Sequence, residues 1–204
     1  MGKLKLTKNE LKRQRDELKR FEQYLPTLLL KKQQLQLEIQ KIHKAMEEVK
    51  KEKAYLKATI YKWADVFAED VGLRDLISLK EVLTDTGNIA GIDTPVFKEA
   101  VFDVKKYDLV ITPLWVDYGV DAVKQVMTEN AKMGILEKQE ELIREELRIT
   151  TQRVNLFEKV KIPQAVENIR KIQICLGDLQ TAAVVRGKIA KEKIQAKQEE
   201  VIHI

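Results

Sequence analysis

The chain is poor in the residues that punctuate or cross-link a fold. Its 204 residues include one cysteine, four prolines and eight glycines, and 6% are aromatic. The single cysteine, Cys175, excludes an internal disulfide framework. No stretch approaches 18 consecutive apolar residues, so no membrane span is expected and any membrane role has to come through a partner. The opening MGKLKLTKNELKRQRDE has no apolar core for a secretory signal, and MGKLKL lacks the Ser or Thr of a myristoylation signal. The cytosol is the expected address.

What is abundant is charge. Asp, Glu, Lys and Arg make up 34% of the chain, against the usual quarter, a mixture that favours long narrow helices over a broad core. Residues 1–20 hold eight cations against three acids, an excess equal to the chain's whole net charge of +5. The stretch 186–204 adds Arg186, Lys188, Lys191, Lys193 and Lys197 against three glutamates. If the two ends meet in space, one tip is distinctly basic, carried by Lys8, Lys12, Arg13, Arg15 and Lys19 with Arg186, Lys188 and Lys191.

Between these ends the apolar residues recur with steps of three and four. One series is Leu11, Leu18, Leu25, Lys32, Ile39, Met46, Lys53, Ile60 and Phe67; the other is Gln14, Phe21, Leu28, Leu35, Ile42, Val49, Leu56 and Trp63. Only Gln14, Lys32 and Lys53 break the pattern, which predicts a coiled-coil seam sustained over many heptads. Thr7, with Glu10 three residues on, reads as the N-cap of a capping box. A helix over 8–68 would extend roughly 90 Å at 1.5 Å per residue. Each stripe residue gains about 1.5–3 kcal/mol by leaving water, so a partner helix is required.

The region from about Val120 to Lys197 supplies it. Its stripe runs Leu136, Ile143, Leu147, Val154 and Phe157, then Ile162, Ile169, Ile172, Leu176 and Leu179. Between Phe157 and Ile162 the step is five, beside Pro163. An interior proline costs a helix about 3 kcal/mol, and a loosened turn or kink there re-aims the face so that the seam continues. Ile162 and Pro163 are thus the candidate bend.

The middle holds much of the remaining punctuation: Gly72, Gly87, Gly91, Pro95, Pro113 and Gly119. LKEVLTDTGNIAGIDTPV reads as a β-hairpin over about 79–97, closed by Gly87-Asn88, with Leu79 opposite Val96 and Leu83 opposite Ile92. Those four residues form a candidate partner-binding face. Trp115 and Tyr118 in YDLVITPLWVDYG are expected in a core or interface. The predicted fold is mainly α. It is a long antiparallel two-helix coiled coil of N-terminal (1–70) and C-terminal (120–204) segments, with a hairpin-containing insertion at 71–119.

Little in the chain is chemically active. Gly187-Lys188 is followed by Ile189 and lacks the upstream glycine of a phosphate-binding loop. His43, His203 and Cys175 are widely spaced and form no metal or nucleophile constellation. The basic ends lack aromatics for base stacking, so nucleic acid is not the expected partner. No catalytic residue, metal or cofactor is expected.

At QRVNLFEKVKIPQAVENIRKI the sequence resembles the D subunit of the vacuolar and archaeal-type rotary ATPases, the central rotor shaft. The family's R-V-N-x-L-E run and I-P step appear as Arg153, Val154, Asn155, Leu156, Phe157 and Glu158, then Ile162 and Pro163. NIAGIDTP (Asn88 to Pro95) is similar to the family's hairpin segment, and LLLKKQQL, with Leu28, Lys31 and Leu35, to its first helix. The family pattern has alanine and leucine where Leu156 and Phe157 stand here. The resemblance implies a noncatalytic shaft passing through a hexamer of catalytic A and B subunits. The small F subunit would bind at its side, and a funnel-like subunit would join it to the ion-translocating membrane ring. It puts the basic tip inside the hexamer and the hairpin nearer the membrane. The rival readings are the coiled-coil stalk of a protein-export ATPase, which usually lacks such a hairpin, and a free-standing dimeric coiled-coil scaffold.

Overall fold

The structure, a computed structural model, describes residues 4–62, 76–105, 112–113 and 115–202. In chain order they form α1 (Lys8–Tyr61), β1 (Ile77–Ile89), β2 (Ile92–Val104), α2 (Trp115–Leu156), a π-helical turn (Phe157–Lys161) and α3 (Ile162–Ile202). Trp63 and Phe67 of the expected seam lie outside the described residues, as do His203 and most of the YDLVITPL stretch. The fold is the expected one: mainly α, with N- and C-terminal helices paired antiparallel and a β-hairpin between them.

The first turn of α1 is closed by Thr7, whose Oγ1 accepts the Glu10 N–H at 3.3 Å while its carbonyl accepts that of Leu11 at 3.0 Å. From Leu11 to Ile60, every described member of the two heptad series is buried or half-buried, the two lysines included. The period therefore identified the inward face at each turn. Pro26, which the heptad count passes over, sits exposed inside α1 without ending it. On the other side the helix starts at Trp115, five residues before Val120, and takes Gly119 into its first turns.

The chain divides into two units, a central one (Leu30–Thr150) and a terminal one (Met1–Leu29 with Thr151–Ile204). In the central unit, Lys31 Nζ reaches Glu146 at 2.7 Å and His43 Nε2 lies 2.9 Å from Glu140. The partner number falls as the α1 number rises, so the helices are antiparallel. Leu35, Ile42 and Ile143 are buried between them, flanked by Ile39, Met46, Leu136 and Leu147. The hairpin tip closes this core with Ile89, Ala90 and Ile92. A second cluster at the hairpin base joins Ile77 and Phe102 to Trp115, Val116 and Val120. Between the clusters β2 lies along α2, where Gln139 Nε2 donates to the Pro95 carbonyl at 2.5 Å and the Lys132 ammonium stands 5.8 Å from the centre of the Phe97 ring.

The hairpin corrects the expected register. Ile89 pairs with Ile92, so the turn is Ala90-Gly91 rather than Gly87-Asn88, and both turn residues have positive φ, 53° and 81°. Left-handed geometry at both positions marks the type I′ turn that suits strand twist. Leu79 consequently faces Phe102, not Val96, and Leu83 faces Glu99, not Ile92. The strands are longer than 79–97, and bulges skip Lys80 on β1 and Lys98 on β2. The shifted turn lets Ile89 and Ile92 together reach the helix core, a burial that outweighs the turn preference of a Gly-Asn pair. Asn88 still serves the turn, accepting the Gly91 N–H and donating to Asp93, each at 3.0 Å. Gly87 falls inside β1, where a Cβ would stand 2.7 Å from Val96 Cγ2.

In the terminal unit the pairing is again antiparallel: Gln14 bonds Asn168 at 3.2 Å, and the Phe21 and Phe157 rings pack with centroids 5.2 Å apart. Val154, Ala165 and Ile172 are buried. The five-residue step in the stripe is realised as the π turn, in which the Ile162 N–H bonds the carbonyl of Phe157, five residues back. The added residue turns the face by about one position, carrying the seam from Phe157 to Ile162.

Candidate functional site

No group of three or more His, Cys, Asp or Glu side chains among the described residues could hold a metal ion. Cys175 is half-buried on α3. His43 is engaged with Glu140, whose carboxyl is held below its ordinary value by the hydrogen bond from His43 and by the neighbouring Arg144 guanidinium, against the opposing cost of desolvation. This cluster ties α1 to α2 in the central unit. The candidate sites taken from the sequence are surfaces.

Lys8, Lys12, Arg13, Arg15 and Lys19 are exposed on the first turns of α1. Arg13 pairs with Glu10 at 3.0 Å and with Glu17 at 3.6 Å. Because Gln14 is level with Asn168, antiparallel counting sets Lys8 near residue 174. Arg186, Lys188 and Lys191 thus lie beyond the start of α1, on a length of α3 that is exposed from Gly177 through Gln195. The two basic groups follow one another along the helix axis rather than standing side by side. The same length of α3 exposes Leu179, Val184, Val185, Ile189 and Ile194, an apolar series mixed with the cations. Leu179, expected in the seam, is 52% exposed because α1 does not reach it.

Ile162 is half-buried and Pro163 exposed, immediately after the π turn. On the hairpin, Leu79, Leu83 and Val96 are exposed, whereas Ile92 packs into the helix core. Three of the four proposed docking residues are thus available to a partner. Ile92 is partly buried against the helix core, a consequence of the turn falling at Ala90-Gly91.

Sequence reasoning missed a groove between α1 and α2 in the central unit. One part, about 610 Å³, is lined by Lys51, Tyr55, Leu56, Gln125, Thr128 and Glu129. It continues past the shared Leu56 and Gln125 to Ile60, Trp115 and Tyr118. Tyr55 is 74% exposed at its rim and Tyr118 is 75% exposed, while Trp115 joins the hairpin-base core. The available signal was an aromatic, Tyr55, standing one place off the seam beside Leu56.

Similarity to known proteins follows this geometry along almost the whole chain. A family model for the D subunit of ATP synthase matches residues 10–192. A V-type ATP synthase D subunit from Borreliella burgdorferi is 50% identical over 194 residues, covering 95% of this chain and 96% of the relative. Proteins of the same description from Chlamydia caviae and Chlamydia pneumoniae are 34% and 33% identical, covering 98% and 94% of this chain and 97% and 93% of their own lengths.

Proposed function

Because this chain belongs to the ATP synthase D-subunit family, we propose that it is the central-stalk rotor of a V-type or A-type rotary ATPase, itself noncatalytic. In this reading it couples ATP hydrolysis or synthesis in the A/B hexamer to ion translocation through the membrane ring. The observation that carries the proposal is the family match along nearly the full length of a chain whose end segments pair antiparallel. Its partners would be the catalytic A and B subunits, the F subunit and the funnel-like subunit. Its place would be the cytoplasmic side, peripheral to the membrane. Among the described residues no helix is long and apolar enough to cross a membrane.

The physical rationale starts from paired helices, which resist bending and twisting as a single helix does not. An asymmetric shaft touches three chemically equivalent interfaces unequally, so each is biased toward a different nucleotide state. Lys8 to Lys19 and Arg186 to Lys191 would slide against polar or acidic linings of the hexamer. Leu79, Leu83 and Val96 would dock the F subunit or the funnel-like one, where a strand surface with apolar side chains exposed gains by being covered.

Purification of the tagged full-length chain from its native membranes tests the assignment: the A, B and F subunits are expected to co-elute, and recovery without them overturns it. Pro163→Ala tests the role of shape. The isolated variant is expected to melt no lower than the parent, since alanine restores a backbone donor, while ATP-driven rotation and ion pumping in the assembled complex fall. Undiminished rotation and pumping would remove Pro163 from the mechanism.

A further inference from the structure

Two backbone irregularities of the terminal unit abut. Pro26 has no N–H, so the carbonyl of Glu22 loses its ordinary helical donor inside α1. In the opposing helix Phe157 accepts from Ile162, five residues on, and Pro163 withdraws the ordinary donor of the Lys159 carbonyl. The Phe21 and Phe157 rings, 5.2 Å apart and tilted by 42°, join the two places. Glu22 is the next residue after Phe21, and Phe157 opens the π turn itself. Each helix is therefore weakened within about one turn of the other, and the side chains bridging the weak turns are in contact. A single defect in a helix pair is splinted by its intact neighbour. Two defects in neighbouring turns leave only a short splint between them.

We infer that Pro26, the π turn Phe157–Lys161 with Pro163, and the Phe21–Phe157 pair form one compliant joint in the terminal helix pair, opening as a unit rather than as two separate local flaws. The joint does not depend on rotation. It governs how motion is distributed along the helices, and it is present or absent in the isolated chain.

Hydrogen exchange on the full-length protein, followed residue by residue, tests it. Amides at 22–30 and at 155–167 are expected to share one opening rate, faster than that of α1 amides around Leu35 and Ile42. Pro26→Ala restores one backbone bond in α1 only. It is expected to slow exchange about five- to tenfold at 155–167 as well as in its own helix, the effect of one recovered hydrogen bond. Phe21→Ala is expected to uncouple the two segments, so that adding Pro26→Ala then slows α1 alone. Slowing confined to 22–30 in the Phe21-containing protein would overturn the proposal and leave two independent defects. So would unchanged exchange in both segments. Alanine is the best helix former, so the proline variant is not expected to compromise folding.

Discussion

The central and terminal units use the same element, an antiparallel helix pair, in different ways. In the central unit the pair has a third layer: the hairpin tip packs Ile89 and Ile92 onto Leu35, Ile42 and Ile143, beside a seam that also takes in Lys32 and Lys53. Among the described residues the terminal unit pairs helices without a strand layer, and its seam includes a hydrogen-bonded polar layer. Gln14, 6% exposed, donates to Glu10 and accepts from Asn168, while Glu10 also pairs with Arg13. Two helices without a third layer leave their flanks wet, and a buried amide is acceptable there when both its donor and its acceptor are used. The lesson is that one heptad pattern produces a tightly closed core or a more adjustable pair, depending on what covers it.

The sharpest break in this comparison comes from emptying the covered core. Ile143→Ala, at a position of zero exposure, is expected to cost about 2–5 kcal/mol in urea unfolding. Ile172→Ala, equally buried in the terminal unit, is expected to cost less within that range, because a two-helix pair can close on the cavity more readily. Equal losses would erase the distinction between the units. The hairpin layer is tested next by Gly87→Ala, whose Cβ meets Val96 Cγ2. A loss of about 1–3 kcal/mol is expected, largely relieved by adding Val96→Ala.

A smaller effect is expected in the polar layer. Gln14→Leu strands the Asn168 amide and should cost about 1–2 kcal/mol, whereas Gln14→Leu with Asn168→Leu should recover most of it, as read from a double-mutant cycle of thermal unfolding. The smallest is electrostatic. Because the folded state holds the Glu140 carboxyl below its ordinary value, its contribution is fully present above the unfolded carboxylate range and is lost as pH falls through the lower folded value. Glu140→Gln should therefore lower the melting temperature slightly at neutral pH and leave it unchanged in strong acid. A difference that persists there would assign the effect to packing rather than charge.

Much of this architecture was legible in sequence because it is periodic. The heptad positions of α1 needed no knowledge of the partner, and the five-residue step from Phe157 to Ile162 marked the loosened turn that the structure forms as a π turn. What was not legible depended on distant contacts. Gly87-Asn88 is the better turn locally, but burying Ile89 and Ile92 against the helices decides for Ala90-Gly91. The same contact sets Ile92 against the helix core while Leu79, Leu83 and Val96 stay exposed. Gly119 looked like a boundary, yet Val116 and Val120 on either side of it are needed at the hairpin base, and the helix runs through it. Pro26 escaped notice because the apolar pattern continues across it. Leu179 lost its place in the seam because the end of α1, not the apolar stripe of α3, sets how far the pairing extends.

Pairing of the opening and closing helices within one chain underlies all of this. Cysteines placed at Phe21 and Phe157 in a Cys175→Ser background, joined by a short bis-maleimide and run on a denaturing gel, test it most directly. The predicted product is an intramolecular link that migrates as a single chain at every protein concentration. A linked dimer whose yield rises with concentration would contradict intrachain pairing and favour the free-standing scaffold.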